Sequence, residues 1–77
     1  MPKINNIHWR DFEKFLLHCG CKFVREKGDH RMYTKLGIHR VLVIPRQNPL
    51  FTGIIYTNLR TLKISANDFL AVFKKLK

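Results

Sequence analysis

Three glycines, Gly20, Gly28 and Gly37, cut the N-terminal part of this chain into short pieces. Glycine tolerates left-handed backbone, so each marks a place where a helix stops or a strand reverses. The segments that follow them are short and extended: Lys22 to Lys27, His30 to Lys35 and His39 to Ile44. They predict three antiparallel strands, joined through Gly28-Asp29 and Leu36-Gly37. The third, "HRVLVI", is the richest in β-branched residues, and Pro45 ends it. Val41, Leu42, Val43 and Ile44 are apolar on both faces, so alternation does not say which face carries His30.

Helical period governs the flanks. Trp9, Phe12, Leu16 and Cys19 recur three and four apart, with Phe15 beside them. This predicts a helix from about Ile7 to Cys19, capped by Asn5 or Asn6 and stopped by Gly20. After the loop "PRQNPLF", Thr52 is the expected cap of a second helical stretch bearing Ile55, Leu59 and Leu62. Ser65 and Asp68 form an S-x-x-D start for a last helix, with Ile64 placed to staple onto Phe69. Phe69, Val72, Phe73 and Leu76 are its apolar face; Lys74, Lys75 and Lys77 sit where the helix dipole favours cations. The predicted fold class is α+β, a small domain ordered helix, three antiparallel strands, then one or more helices. Helices cover one sheet face and water meets the other.

Size and charge bound the function. A chain of 77 residues is read as one domain, residues 1–77, with little material for a deep pocket. Large or surface-bound partners fit it better than a buried small molecule, and no cofactor is expected. Fifteen Lys and Arg against five Asp and Glu give a formal charge of +10, spread from Lys3 to Lys77. Such a field attracts polyanions, of which nucleic acid is the commonest, and an acidic protein fits the same charge. No apolar run approaches the roughly 20 residues that cross a bilayer, and no signal-peptide pattern or long basic amphipathic helix is present. The expectation is a cytoplasmic chain without a membrane partner. Cys19 and Cys21 stand in C-G-C, not the C-x-x-C of redox or zinc motifs, and read as two reduced thiols.

The chemistry gathers in "REKGDHRMY", Arg25 to Tyr33. A tight turn, Gly28-Asp29, is followed at once by His30, with basic residues on both sides. Histidine titrates near neutrality and serves as general acid or base, yet a histidine at a hairpin tip is most often surface decoration. The residues alone leave both readings open. His8 and His18 fall on the first helix, and His39 opens the third strand, where pairing can bring it toward His30. Asp29, His30 and His39 make no recognisable ligand set, so no metal is expected. Trp9 and the phenylalanines read as core; Tyr33 either packs or stacks on a base, and packing is favoured.

Taken in order, these features resemble the HicA (YcfA-like) toxin family. The leading helix ends in Gly20, a strand carries Arg25 and Lys27, Gly28-x-His30 precedes an apolar and aromatic pair, and Val43-Ile44-Pro45 closes the third strand. The ending, a helix then Ile64-Ser65 and Asp68-Phe69, matches too. The resemblance implies a double-stranded-RNA-binding-domain-like fold and endoribonuclease activity on mRNA, with His30 catalytic and a HicB-type antitoxin as protein partner. Two departures stand out. The family's turn usually reads Gly-Ser-His, and Asp29 puts a negative charge beside the histidine. Many members also have a histidine shortly after the proline, where this chain has Arg46 and Gln47.

RNA brings its own nucleophile, the 2′-hydroxyl, so a protein need only orient it, move protons and neutralise phosphate charge. Arg25, Lys27, Arg31 and Arg46 are the candidates for phosphate, and Gly28 and Asp29 the turn that presents His30. Three classes remain: a metal-independent ribonuclease toxin centred on His30, a non-catalytic RNA-binding module, and a basic protein that docks an acidic partner.

Overall fold

The computed structural model describes residues 4–76. Its elements run α1 (Trp9–His18), β1 (Lys22–Lys27), β2 (His30–Thr34), β3 (Leu42–Pro45), α2 (Thr52–Leu62) and α3 (Ala66–Leu76). The strands form one antiparallel sheet in the order β1-β2-β3. This is the predicted α+β class, a helix and three strands followed by two helices, consistent with a double-stranded-RNA-binding-domain-like fold. Among the described residues no helix is long and apolar enough to cross a membrane. Lys3 and Lys77 lie outside the described residues.

The apolar stripes become the core. Phe12, Phe15 and Leu16 of α1, Ile55, Leu59 and Leu62 of α2, and Phe69 and Phe73 of α3 bury against Tyr33, Leu42 and Ile44 of the sheet. Trp9, Cys19, Val72 and Leu76 pack at its margin. Four phenylalanines meet there: the Phe69 ring stands edge-on to Phe15 at 4.7 Å and to Phe12 at 5.7 Å, and stacks with Phe73 at 5.0 Å. The Ser65 hydroxyl accepts from the Asp68 N–H at 3.1 Å, as the S-x-x-D pattern predicts.

Four boundaries differ from the sequence reading. The cap of α1 is His8, whose Nδ1 accepts from the Arg10 N–H, and not Asn5 or Asn6. Ile4 and Ile7 are drawn into the core, and the Leu50 N–H bonds the Ile7 carbonyl, so the entry segment is extended where a longer helix was predicted. Asn6 adopts a left-handed backbone there. Thr52 is the first residue of α2 and not its cap; Phe51 holds that place without a side-chain bond. The third strand begins at Leu42, not His39, because Leu42 pairs with Tyr33 near the end of β2 and residues 39–41 have no strand beside them. The second strand likewise stops at Thr34.

Gly53, inside α2, has a visible reason. A Cβ there would come within 2.5 Å of the Phe51 ring, which lies against the helix at this point. A helical glycine costs roughly 0.5–1 kcal/mol relative to alanine, and here it makes room for an aromatic ring that is 68% exposed.

Candidate active site

Strand register decides which side chains share a face. Directly opposed residues of an antiparallel pair project to the same side. Lys27 opposes His30, which opposes Pro45; Arg25 opposes Met32, which opposes Val43. Arg25, Lys27 and His30 therefore share the outer face, away from the buried Tyr33, Leu42 and Ile44. The turn that brings Lys27 and His30 together is Gly28-Asp29, with Gly28 at φ +62°. A positive φ at the first central position is what a two-residue hairpin turn demands, and glycine meets it at least cost.

His30 stands at this tip with its side chain 56% exposed. Its Nδ1 lies 3.0 Å from Asp29 Oδ1. A carboxylate at that distance favours a proton on Nδ1, the nitrogen that faces it, and leaves Nε2 pointing away from Asp29. Arg46 completes the tip. Its backbone N–H donates to the Asp29 carbonyl at 2.8 Å, and its guanidinium lies 3.3 Å from Glu26 Oε2. Arg25 and Lys27 share this open face with His30, while Arg46 flanks the turn through its backbone and turns its guanidinium to Glu26.

Arg31 goes elsewhere. Grouped with the phosphate contacts by its place in the sequence, it projects from the opposite face of β2. Its guanidinium bonds Glu13 through Nε and NH2 at 3.1 and 2.9 Å, and Glu26 through NH1 at 3.0 Å. It lies over the Phe23 ring at 4.2 Å and the Trp9 ring at 5.2 Å. The Tyr33 hydroxyl donates to Glu13 and accepts from Arg31 Nε. Burial, then the bond to Glu13, push the Tyr33 hydroxyl well above the ordinary tyrosine range. The bond to Tyr33, with those to Glu26 and Glu13, pushes Arg31 up as well, so the pair stays phenol and guanidinium. Arg31 is thus the centre of a clamp joining α1 to the sheet.

Glu13 and Glu26 are the residues that sequence reasoning missed. Glu13 sits on α1 at the edge of its apolar stripe, beside Phe12 and one turn after Trp9, and an acid on such an edge is the available signal. Glu26 is bifunctional: Oε1 holds Arg31 and Oε2 holds Arg46. Replacing Glu13 with alanine leaves Arg31 Nε and NH2 and the Tyr33 hydroxyl without this carboxylate in a partly buried place. The expected loss of stability is about 1–3 kcal/mol, read from urea unfolding midpoints. A change inside a few tenths of a kcal/mol would mean the clamp is surface ornament.

The other candidates scatter. His39 lies before β3, at the far end of the sheet from His30, because His30 pairs with Pro45 at the opposite end of that strand. Tyr33 packs, fully buried. Burial pushes both cysteine thiols up. Among the described residues no group of three or more His, Cys, Asp or Glu side chains is placed to hold a metal ion.

Comparison with protein families matches residues 9–64 to the HicA toxin of bacterial toxin–antitoxin systems. The chain belongs to the HicA toxin family. The matched span covers α1, the sheet and α2, and so includes the His30 hairpin and the Arg31 clamp. It ends at Ile64, before α3. Membership of a HicA toxin family implies an antitoxin as partner. Comparison with curated proteins and with solved structures yields no match.

Proposed function

We propose that this HicA family member is an endoribonuclease that cleaves mRNA without a metal, with His30 as the proton-transfer residue. The observation that carries the reading is the exposed hairpin tip, where His30 lies through Nδ1 3.0 Å from Asp29, shares a sheet face with Arg25 and Lys27, and has Arg46 bonded to the turn backbone beside it. In this mechanism Nε2 of His30 takes the 2′-hydroxyl proton as that oxygen attacks the adjacent phosphorus. The P–O5′ bond breaks, a 2′,3′-cyclic phosphate forms, and the leaving 5′-oxygen takes a proton from solvent water. Arg25, Lys27 and Arg46 offset the charge that builds on the phosphate oxygens. Arg31 contributes as a positioning residue through Glu26. The whole chain, residues 1–77, acts as one HicA-like unit, since Phe69 and Phe73 of α3 enter the same core as the matched span. A HicB-type antitoxin is the proposed neutralising partner, drawn by the +10 surface, and the cytoplasm is the proposed site of action.

The test is cleavage of a structured mRNA by purified protein with and without EDTA. The expected result is the same cleavage rate in both, with RNA affinity that falls steeply as salt rises. Intact RNA in both arms removes the nuclease reading and leaves the basic surface as a docking site. Cleavage only without EDTA removes the metal-free route.

A further inference from the structure

At the opposite end of the sheet from His30, the loop before β3 and the last turns of α2 enclose an open groove of about 630 Å³. His39, Arg40, Arg60 and Lys63 line it, together with the hydroxyl-bearing Thr57 and Thr61. No ion pair among the described residues engages these cations, and no carboxylate lines the groove. Asp68 lies beside Lys63 in a neighbouring hollow but forms no ion pair with it. Glu13, Glu26 and Asp29 are engaged elsewhere, with Arg31, Arg46 and His30.

This groove does not stop there. Arg40, Thr57 and Thr61 also line a second hollow of about 460 Å³ that continues along the seam between β3 and α2. Its far part is apolar, formed by Val41, Val43, Ile54 and the Phe51 ring. That ring lies against Gly53 and is more than half exposed. Val43 projects on the outer face of the sheet, the face of His30, one pair away from the His30–Pro45 pair along that face.

We propose that this seam is a track for single-stranded RNA, which carries the strand from a basic entry at Arg40, Arg60 and Lys63, past a base stacked on Phe51, toward His30. The inference rests on the ribonuclease reading above and extends it to how substrate is held. Positive grooves with an aromatic platform are how proteins hold single strands without reading sequence. The groove carries cations at one end and an open aromatic face at the other, and Val43 joins it to the sheet face that bears His30. From residue 40 to residue 45 the chain spans at most about 17 Å, room for a few nucleotides.

The test uses His30→Ala protein, so that RNA is bound and not cut, and a fluorescein-labelled single-stranded RNA of about a dozen nucleotides followed by anisotropy. The Arg40→Ala/Arg60→Ala double variant is expected to lose about tenfold or more in affinity. Its log–log salt slope should flatten by about 1.4, two phosphate contacts at about 0.7 each. Phe51→Ala should lose about tenfold with the slope unchanged, because stacking releases no counterions. Lys74→Ala/Lys75→Ala removes the same formal charge from the end of α3 and should stay within about twofold. Equal losses in the two double variants would reduce the track to net charge and overturn it. Equal sensitivity toward duplex RNA overturns the single-strand assignment. If the groove variants keep RNA but lose binding to poly-glutamate, the groove is a dock for an acidic protein and the track is wrong. Wild-type protein that cuts RNA while the groove variants bind like it sinks the track alone; wild-type protein that neither binds nor cuts RNA sinks both readings.

Discussion

His30→Ala is expected to abolish RNA cleavage and growth arrest while leaving the fold and most RNA affinity intact. The side chain is more than half exposed and fills no part of the core, so its loss opens no cavity. The hairpin keeps its shape without it, because the turn is set by Gly28 and the strand pairing, and Arg46 still bonds the Asp29 carbonyl. What disappears is the proposed proton acceptor. General acid–base catalysis contributes typically 10²- to 10⁴-fold, and loss on that scale is the expectation for single-turnover cleavage of a labelled mRNA. A melting temperature unchanged within a degree or two accompanies it. Cleavage within about tenfold of wild type would remove His30 from the chemistry and return it to surface decoration. Asp29→Asn gives a separate reading. It keeps a side chain of the same shape at the turn but removes the charge that pairs with Nδ1, so a moderate loss of rate is expected.

The largest effect on stability is expected from Phe69→Ala. Phe69 has no solvent exposure and contacts three other rings. Truncating a buried phenylalanine costs about 3–5 kcal/mol, from lost transfer energy and the cavity left behind. Small domains have little to spare above roughly 5 kcal/mol. The variant is therefore expected to lose more than about 12 °C of melting temperature, at about 4–8 °C per kcal/mol for a domain of this size. Calorimetry or denaturant unfolding checks it. The outcome matters beyond stability because α3 lies outside the span that matches the family. A fall of only a few degrees would make α3 a peripheral appendage, and the proposal of one unit over residues 1–77 would fail.

The fold was largely legible because its strongest signals are local. The helical stripes of Phe12, Phe15 and Leu16, of Ile55, Leu59 and Leu62, and of Phe69 and Phe73 all turn inward. The Gly28-Asp29 turn and the Ser65 cap can each be read within a few residues. Errors came where a distant partner overrules a local preference. Asn5 and Asn6 are good caps by type, but the entry segment is held extended by Leu50 and Gln47, far along the chain. "HRV" favours a strand by composition, yet it has no neighbour to pair with. Arg31 was misgrouped for the same reason. It adjoins His30 in sequence, and strand alternation then sends it to the other face, where Glu13 waits 18 residues upstream. The bulge between Phe23 and Arg25 lets Phe23 and Glu26 share that inner face, and no periodicity announces it.

Glu26 holds two arginines with its two oxygens, one rooted in the clamp beneath the sheet and one at the turn that presents His30. The hairpin is thus keyed to the position of α1, and shifting it would mean breaking charged contacts in the body of the protein. On the proposed function, nothing in this bracing supplies a switch within the chain itself. Restraint has to arrive as a second molecule laid over the surface, so on the proposed function the dose of antitoxin, and not a change of shape in the toxin, decides when RNA is cut.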